Sequence, residues 1–495
     1  MRTLPCAAAL LAAAGLLSGC PVLAQVPPVD VLWSEVQQLV AQGGGSLSAA
    51  RLLGAGNDWR AEEVLIGLPD GGGRIALPAL RLHRTDQSLT LVPEGAATLT
   101  MQEGRDSWRF EIAPEGGDPG RDSLTVSYDG TTLGLGLDFG AQRVALLGAW
   151  RGKESRGESF EGRIERVRLD GGMTLAEPYS GDVSLTLGAM DYRLASPALG
   201  ALQDRIAGEV RLGGLELRLA GAGIHGRPTS TMDAAFAAGL MLRGSLALQG
   251  FVANLDQTSL GQPIRSSSVL DSLTIALGAE GGRASADLRL AGVSVRTEGA
   301  LLNGAVALDE MALRLMLPLM QTPDPQPFES AQAVRGLTVS PELLALARLA
   351  PFGGLPLSVE TETLGQLRWL RPLGPDLADS DDPPLDLTQL TGRLGAAVGP
   401  NTLSVRYDLA FPPGALARMG DGPPQTSGTA TIELIGGRVV LARLAETGLV
   451  PREQLGMAQM VMGALGRPVG DDHLVSDIEI RADGSVLVNG MPAPF

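Results

Sequence analysis

The sequence predicts a mainly β protein, a β-rich α+β chain of long curved antiparallel sheets or meanders with a few short helices. Three observations carry this. Apolar residues alternate with polar ones over much of the chain, as in Ser123-Leu124-Thr125-Val126-Ser127-Tyr128 and Leu273-Thr274-Ile275-Ala276-Leu277, the period of a strand with one buried and one wetted face. Turn signals punctuate that pattern at Asp70-Gly71-Gly72, Asp129-Gly130, Asp170-Gly171-Gly172 and Asp483-Gly484, as hairpins require. No regular strand–helix–strand alternation appears, which argues against a parallel doubly wound sheet.

The N-terminus reads as an export signal. Arg2 precedes an uncharged Ala/Leu stretch from Leu4 to Leu17, shorter than the roughly 20 apolar residues of a spanning helix and ordered like a secretory h-region. Two cleavage readings stand. Leu17-Ser18-Gly19-Cys20 fits a lipobox, making 1–19 the signal and Cys20 the acylated first residue. Val22-Leu23-Ala24 before Gln25 fits ordinary cleavage, making 1–24 the signal peptide. Next, Asp30 caps a helix with Leu32, Val36, Leu39 and Val40 on one face; Gly43-Gly44-Gly45 ends it, and Trp33 packs on the sheet that follows.

From about Trp59 the strands follow. Leu133, Leu135, Leu137 and Phe139 alternate, as do Val183 to Leu187 and Asp287 to Leu290. On the order of twenty strands of five or six residues account for the chain. Short helices are expected over Met232–Leu240, from Ser340-Pro341 to Leu349, over Val439–Thr447 and over Pro451–Leu465, with Gly448 between the last two. The Pro-rich segment Gln321 to Pro327 marks a soft boundary near 321–330, between an N-terminal β-rich region (26–320) and a C-terminal one (331–495). Pro372 to Pro384 and Pro412 to Gly428 read as loose connections.

Composition narrows function by exclusion. The net charge of −16 argues against nucleic acid, whose phosphates need a basic stripe, and against simple electrostatic attachment to anionic lipid. Membrane contact is expected only through an N-terminus lipidated at Cys20. Cys6 and Cys20 are the only cysteines, so a mature chain has no disulfide framework, thiolate catalyst or Cys-based zinc site. Lys153 is the only lysine. His83, His225 and His473 lie far apart and read as surface or loop residues; no Gly-x-Ser-x-Gly elbow and no paired metal histidines occur. Asp376, Asp379, Asp381 and Asp382 read as a solvated linker, since the Gly and Glu of a calcium loop are missing. Gly71-Gly72-Gly73 lacks the Lys-Ser/Thr of a phosphate loop and reads as a hairpin turn. Met457, Met460 and Met462, with Val461 and Leu465, read as a helix packed on the sheet, with an adaptable binding surface as the alternative. No catalytic, cofactor or metal set stands out.

The last fifty residues carry a resemblance. Thr447-Gly448-Leu449-Val450-Pro451-Arg452-Glu453-Gln454, the helix Met457 to Gly463, Arg467-Pro468, Gly470-Asp471-Asp472, Leu474 to Ile480 and Asp483 to Gly490 resemble an alphaproteobacterial envelope family, domain of unknown function 2125. Leu317 to Met320, Pro325 to Phe328 and Leu337 to Ser340 also look like that family, as does the plan of signal, Trp-bearing helix and long β-region; Cys20 is a departure from it. The β-pattern and closing hairpin are similar to AsmA-like envelope proteins, which implies curved sheets with an apolar groove, an analogy of fold alone. The expectation is therefore an exported periplasmic protein, soluble or anchored, without enzymatic activity. It binds or scaffolds a lipid or other apolar ligand. The second reading is a structural protein docking another envelope protein, and the third a hydrolase with an unfamiliar carboxylate site.

Overall fold

Alternating strands must satisfy each backbone N–H and C=O outside themselves, and this chain does so largely with its own sequence neighbours. A computed structural model describes residues 29–493 apart from 43, 70–71, 86–87, 104–105, 116–122, 129–132, 152–155, 175–176, 200–203, 226–230, 260–261, 300–302, 375–383 and 416–425. It is mainly β, with long antiparallel sheets and few short helices. It divides into two compact units. One holds the described residues up to Pro228 together with Gly239–Ser266; the other holds Thr229–Ala238 and Ser267–Phe495. Cys20, the lipobox and the Asp376–Asp382 run lie outside the described residues.

In the first unit, helix α1 (Val29–Gln42) lies on strands β1 (Ser46–Ser48), β2 (Arg51–Ala55), β3 (Asp58–Gly67), β4 (Gly73–Arg84) and β5 (Ser88–Glu94). Val29 and Trp33 are buried with Ala61, Val64, Leu82, Leu89 and Leu91 in one hydrophobic core cluster. Asp30 sits within the first turn, where a carboxylate suits the helix dipole, rather than ahead of it as a cap. Of the face expected from sequence, Val40 is half-buried; the side chains of Leu32, Val36 and Leu39 lie outside the description. The glycines end the helix as expected. Gly44 takes φ +78°, its N–H donates to Ala41 O at 3.0 Å, and Gly45 N–H donates to Val40 O at 2.9 Å, the paired bonds of a Schellman cap. Strands β3 and β4 pair as a hairpin whose second strand opens at Gly73, while Gly71 lies outside the described residues.

The rest of this unit solves a length mismatch. After β6 (Ala97–Glu103) and β7 (Asp106–Glu115) come β8 (Ser123–Tyr128) and the 19-residue strands β9 (Leu133–Arg151) and β10 (Arg156–Thr174). Strand β9 pairs with β8 along its first part and β7 along its second. Strand β10 likewise pairs with β11 (Tyr179–Leu187) and β12 (Met190–Leu199). Strands β13 (Asp204–Leu212) and β14 (Gly214–Ile224) both pair with β15 (Met241–Ser259). Many strands are therefore far longer than the five or six residues expected. Asp170-Gly171-Gly172, read as a turn, runs straight through β10: a Cβ at Gly171 would meet Asp182 O at 2.7 Å, so the glycine permits close strand approach there.

Strand β16 (Gln262–Glu280) carries the chain between units. The second unit then runs as a meander: β17 (Arg283–Gly299), β18 (Gly304–Pro318), β19 (Gln326–Val339), β20 (Leu357–Trp369), β21 (Leu385–Val398), β22 (Asn401–Ala410) and β23 (Ser427–Ile435), each paired with the next. The Pro-rich segment 321–327 spans the connection from β18 to β19 and the first two residues of β19. Helix α2 (Met232–Ala237), capped by Thr231, joins this unit: its Asp233 accepts Gln321 N–H at 2.9 Å. Helix α3 (Pro341–Leu346) and a 3-10 turn (Ala350–Phe352) follow β19, so the helix stops short of the expected Leu349. Helices α4 (Gly437–Thr447) and α5 (Arg452–Leu465) flank Gly448, which caps α4 at φ +77°. After β24 (Arg467–Gly470), strand β25 (His473–Ile480) returns beside β23. The Asp483-Gly484 turn then closes β25 onto β26 (Val486–Val488), which pairs with β27 (Met491–Pro492).

Candidate functional site

Directly opposed residues of an antiparallel pair share a face, so register alone sorts the second unit's side chains into two faces. One row reads Leu290, Met311, Val334, Val359, Ala396, Leu403, Leu434 and Leu474 across eight strands. At a strand spacing of about 4.8 Å this apolar row is roughly 34 Å long. None of the eight is fully buried, and Met311 and Val359 are more than a third exposed. The neighbouring rows add Leu288, Leu313, Leu394, Val405 and Ile432 on the same face.

A polar patch interrupts this face on β19 and β20: Ser330 opposes Thr363, and Gln332 opposes Thr361. Beside it two aromatic rings lie flat. Phe328 opposes Gly365, and a Cβ at Gly365 would run into the ring. Tyr407 opposes Gly392; a Cβ there would come within 2.6 Å of the phenol oxygen. The Tyr407 hydroxyl reaches across Gly392 to Thr363 Oγ1 at 2.8 Å. Laying a ring over a cross-strand glycine covers the exposed backbone and keeps the face low. A glycine bulge at Gly336, at φ +64°, shifts the register of β19 against β20 and bends the strand.

The opposite face is ionic. An open depression of about 250 Å³ is floored by Ala312, Ala331 and Ala333 and rimmed by charge. Arg335 donates to Glu310 and Glu360, each at 2.6 Å; Arg289 reaches Glu310 at 2.6 Å, and Arg393 reaches Glu362 at 2.8 Å. The Arg335 guanidinium bonded to Glu310, aided by Arg289, holds this carboxyl below the usual glutamate range against a smaller opposing push from burial. A carboxyl so depressed is ionised near neutral pH and is not a proton donor there, whereas a general acid needs the reverse shift. Its lining holds no histidine, serine or cysteine. It is an ion-pair ladder on a wetted face, and sequence reading missed it.

Glu310 makes that ladder sensitive to acid. A depressed carboxyl contributes stability present above its unfolded pKa, near 4.5, and lost as pH falls through the lower folded value. Glu310→Gln should cost about 1 kcal/mol at neutral pH and flatten the decline below about pH 4.5. Urea unfolding of both proteins at several pH values checks this; equal slopes would show that Glu310 is not responsible.

The remaining sequence candidates are not brought together. His83 is a strand residue on β4, paired with Asp58 at 2.7 Å, and His473 lies on β25, 2.9 Å from Glu433; neither is in a loop. His83 and His473 each have an acid but, among the described residues, no hydroxyl partner for a nucleophilic relay. His225 is half-buried, its Nε2 without a hydrogen bond. Among the described residues no group of three or more metal-binding side chains is present, and no helix is long and apolar enough to cross a membrane. The expectation for α5 needs correction. Leu455, Ala458, Met462 and Leu465 form its half-buried side, while Met457, Met460 and Val461 are exposed. No family model matches the chain, and no curated protein matches it either.

Proposed function

We propose that this chain is an exported cell-envelope protein that binds a lipid or similar apolar ligand on the apolar sheet face of its second unit, without catalysis. The observation that carries the reading is the eight-strand apolar row, none of it fully buried. Leaving so much apolar surface wet costs about 25 cal/mol per Å², and contiguous patches of this kind mark binding sites more often than bare surface. The row is longer than the roughly 15 Å depth of one bilayer leaflet, so an acyl chain fits along it. Ser330, Gln332, Thr361 and Thr363 offer hydroxyl and amide groups to the polar end of such a ligand. The resemblance to the envelope family and to AsmA-like proteins supports the same direction, as does the export signal, with release to the periplasm or anchoring at Cys20.

The test is lipid extraction and native mass spectrometry of protein purified from its own membranes. Near-stoichiometric phospholipid is expected, falling at least about tenfold in Met311→Glu/Val359→Glu, because a charge facing an acyl chain is poorly solvated. Both positions are partly exposed, so the fold should survive. Lipid-free protein with a stoichiometric protein partner would favour the docking reading instead.

A further inference from the structure

The helices of the second unit form a connected cluster. Helix α3 touches the 3-10 turn, the turn touches α4, and α4 touches α5. This cluster carries four of the most exposed large apolar side chains described: Leu346 at 78%, Met460 at 69%, Met457 at 63% and Leu449 at 62%. On α5 the reason is local. Met462 packs within reach of Gly437, whose Cβ position lies 3.5 Å from the Met462 sulfur. That contact turns Met457, Met460 and Val461, at i, i+3 and i+4, to the opposite side.

The charge of the cluster departs from that of the chain. The segments 341–352 and 437–465 hold Arg348, Arg438, Arg443 and Arg452 against Glu342, Glu446 and Glu453, in a protein of net charge −16. Arg348, after α3, is exposed. Arg348, Arg438 and Arg443 have no ion-pair partner among the described residues.

We infer that this helical cluster is a membrane-docking surface, inserting Leu449, Met457 and Met460 among the headgroups of an anionic phospholipid bilayer. Exposed apolar side chains on a short helix flanked by unpaired guanidinia are what an interfacial helix needs. Methionine's flexible thioether accommodates an irregular acyl boundary, and the arginines add attraction to anionic headgroups. A second copy docked through the same patch would set guanidinium against guanidinium across a two-fold axis. The inference does not depend on a ligand occupying the sheet face.

Hydrogen exchange of the full chain, with and without phosphatidylethanolamine–phosphatidylglycerol vesicles, tests it. Local exchange is the readout because an acylated Cys20 would hold the chain on vesicles by itself. Vesicle-dependent slowing over 437–466 is expected, reduced about 10- to 100-fold in M457Q/M460Q and weakened when phosphatidylglycerol is left out. Absence of slowing, or equal slowing in the variant, overturns the proposal. Slowing without vesicles that grows with protein concentration also overturns it, in favour of self-association. Slowing confined to residues 283–410 overturns it while leaving the sheet-face reading intact.

Discussion

Trp33→Ala is expected to cost about 3–5 kcal/mol, the usual loss when a buried indole is deleted, and to release α1 from the first unit. A 14-residue helix is marginal in water without an apolar face to dock on. Among its described side chains, Val29 and Trp33 are the buried contributions of α1 to a core otherwise built from β3, β4 and β5. Urea unfolding should show an early transition, with faster hydrogen exchange over residues 29–94. A loss below about 1 kcal/mol would mean that the helix is not held by this contact.

Asp386→Ala is the second large effect. Asp386 is 2% exposed and faces Arg368 directly across β20 and β21. Its carboxylate accepts Arg368 Nη2 at 3.2 Å and Gly414 N–H at 3.0 Å. Removing it leaves a guanidinium whose Nε already lacks a partner. Breaking a buried pair costs about 3–5 kcal/mol, and water reaching the partly exposed Arg368 side chain places this one near 3. The double variant Arg368→Ala/Asp386→Ala should recover part of that loss, since no charge is then stranded. Strict additivity in unfolding free energies would contradict the pairing.

Much of the fold was legible because period-two alternation and glycine turns are local signals. The ends of α4 and α5, the Gly44–Gly45 cap and the Asp483-Gly484 turn all follow from neighbouring residues, although α4 begins two residues before the expected Val439. Strand length was not legible. A glycine inside a strand and a glycine in a turn look alike in sequence, and Gly171 differs only through Asp182 and Val183 opposite it. The ion ladder was hidden for the same reason. Glu310, Arg335 and Glu360 stand on three strands, and only the register makes them one network. The apolar row and the ring-over-glycine pairs likewise exist only across strands. Helix α5 misled because both of its sides are apolar. Periodicity identifies two stripes, Leu455-Ala458-Met462-Leu465 and Met457-Met460-Val461, and cannot say which one faces inward.

The meander from β17 to β23 has a kinetic consequence. Each strand pairs with the strand next to it in the chain, so its pairings are between sequence neighbours and contact order within it is low. Such a sheet behaves almost as a linear array, stabilised mainly by nearest-neighbour terms and able to grow from any nucleus. A chain threaded through a pore can zip these strands in the order in which they appear, without waiting for a distant partner. Beyond the meander, β25 closes onto β23 and must wait until both helices between them have been formed or looped out. That closing step, rather than the meander, should set the pace at which the second unit is completed.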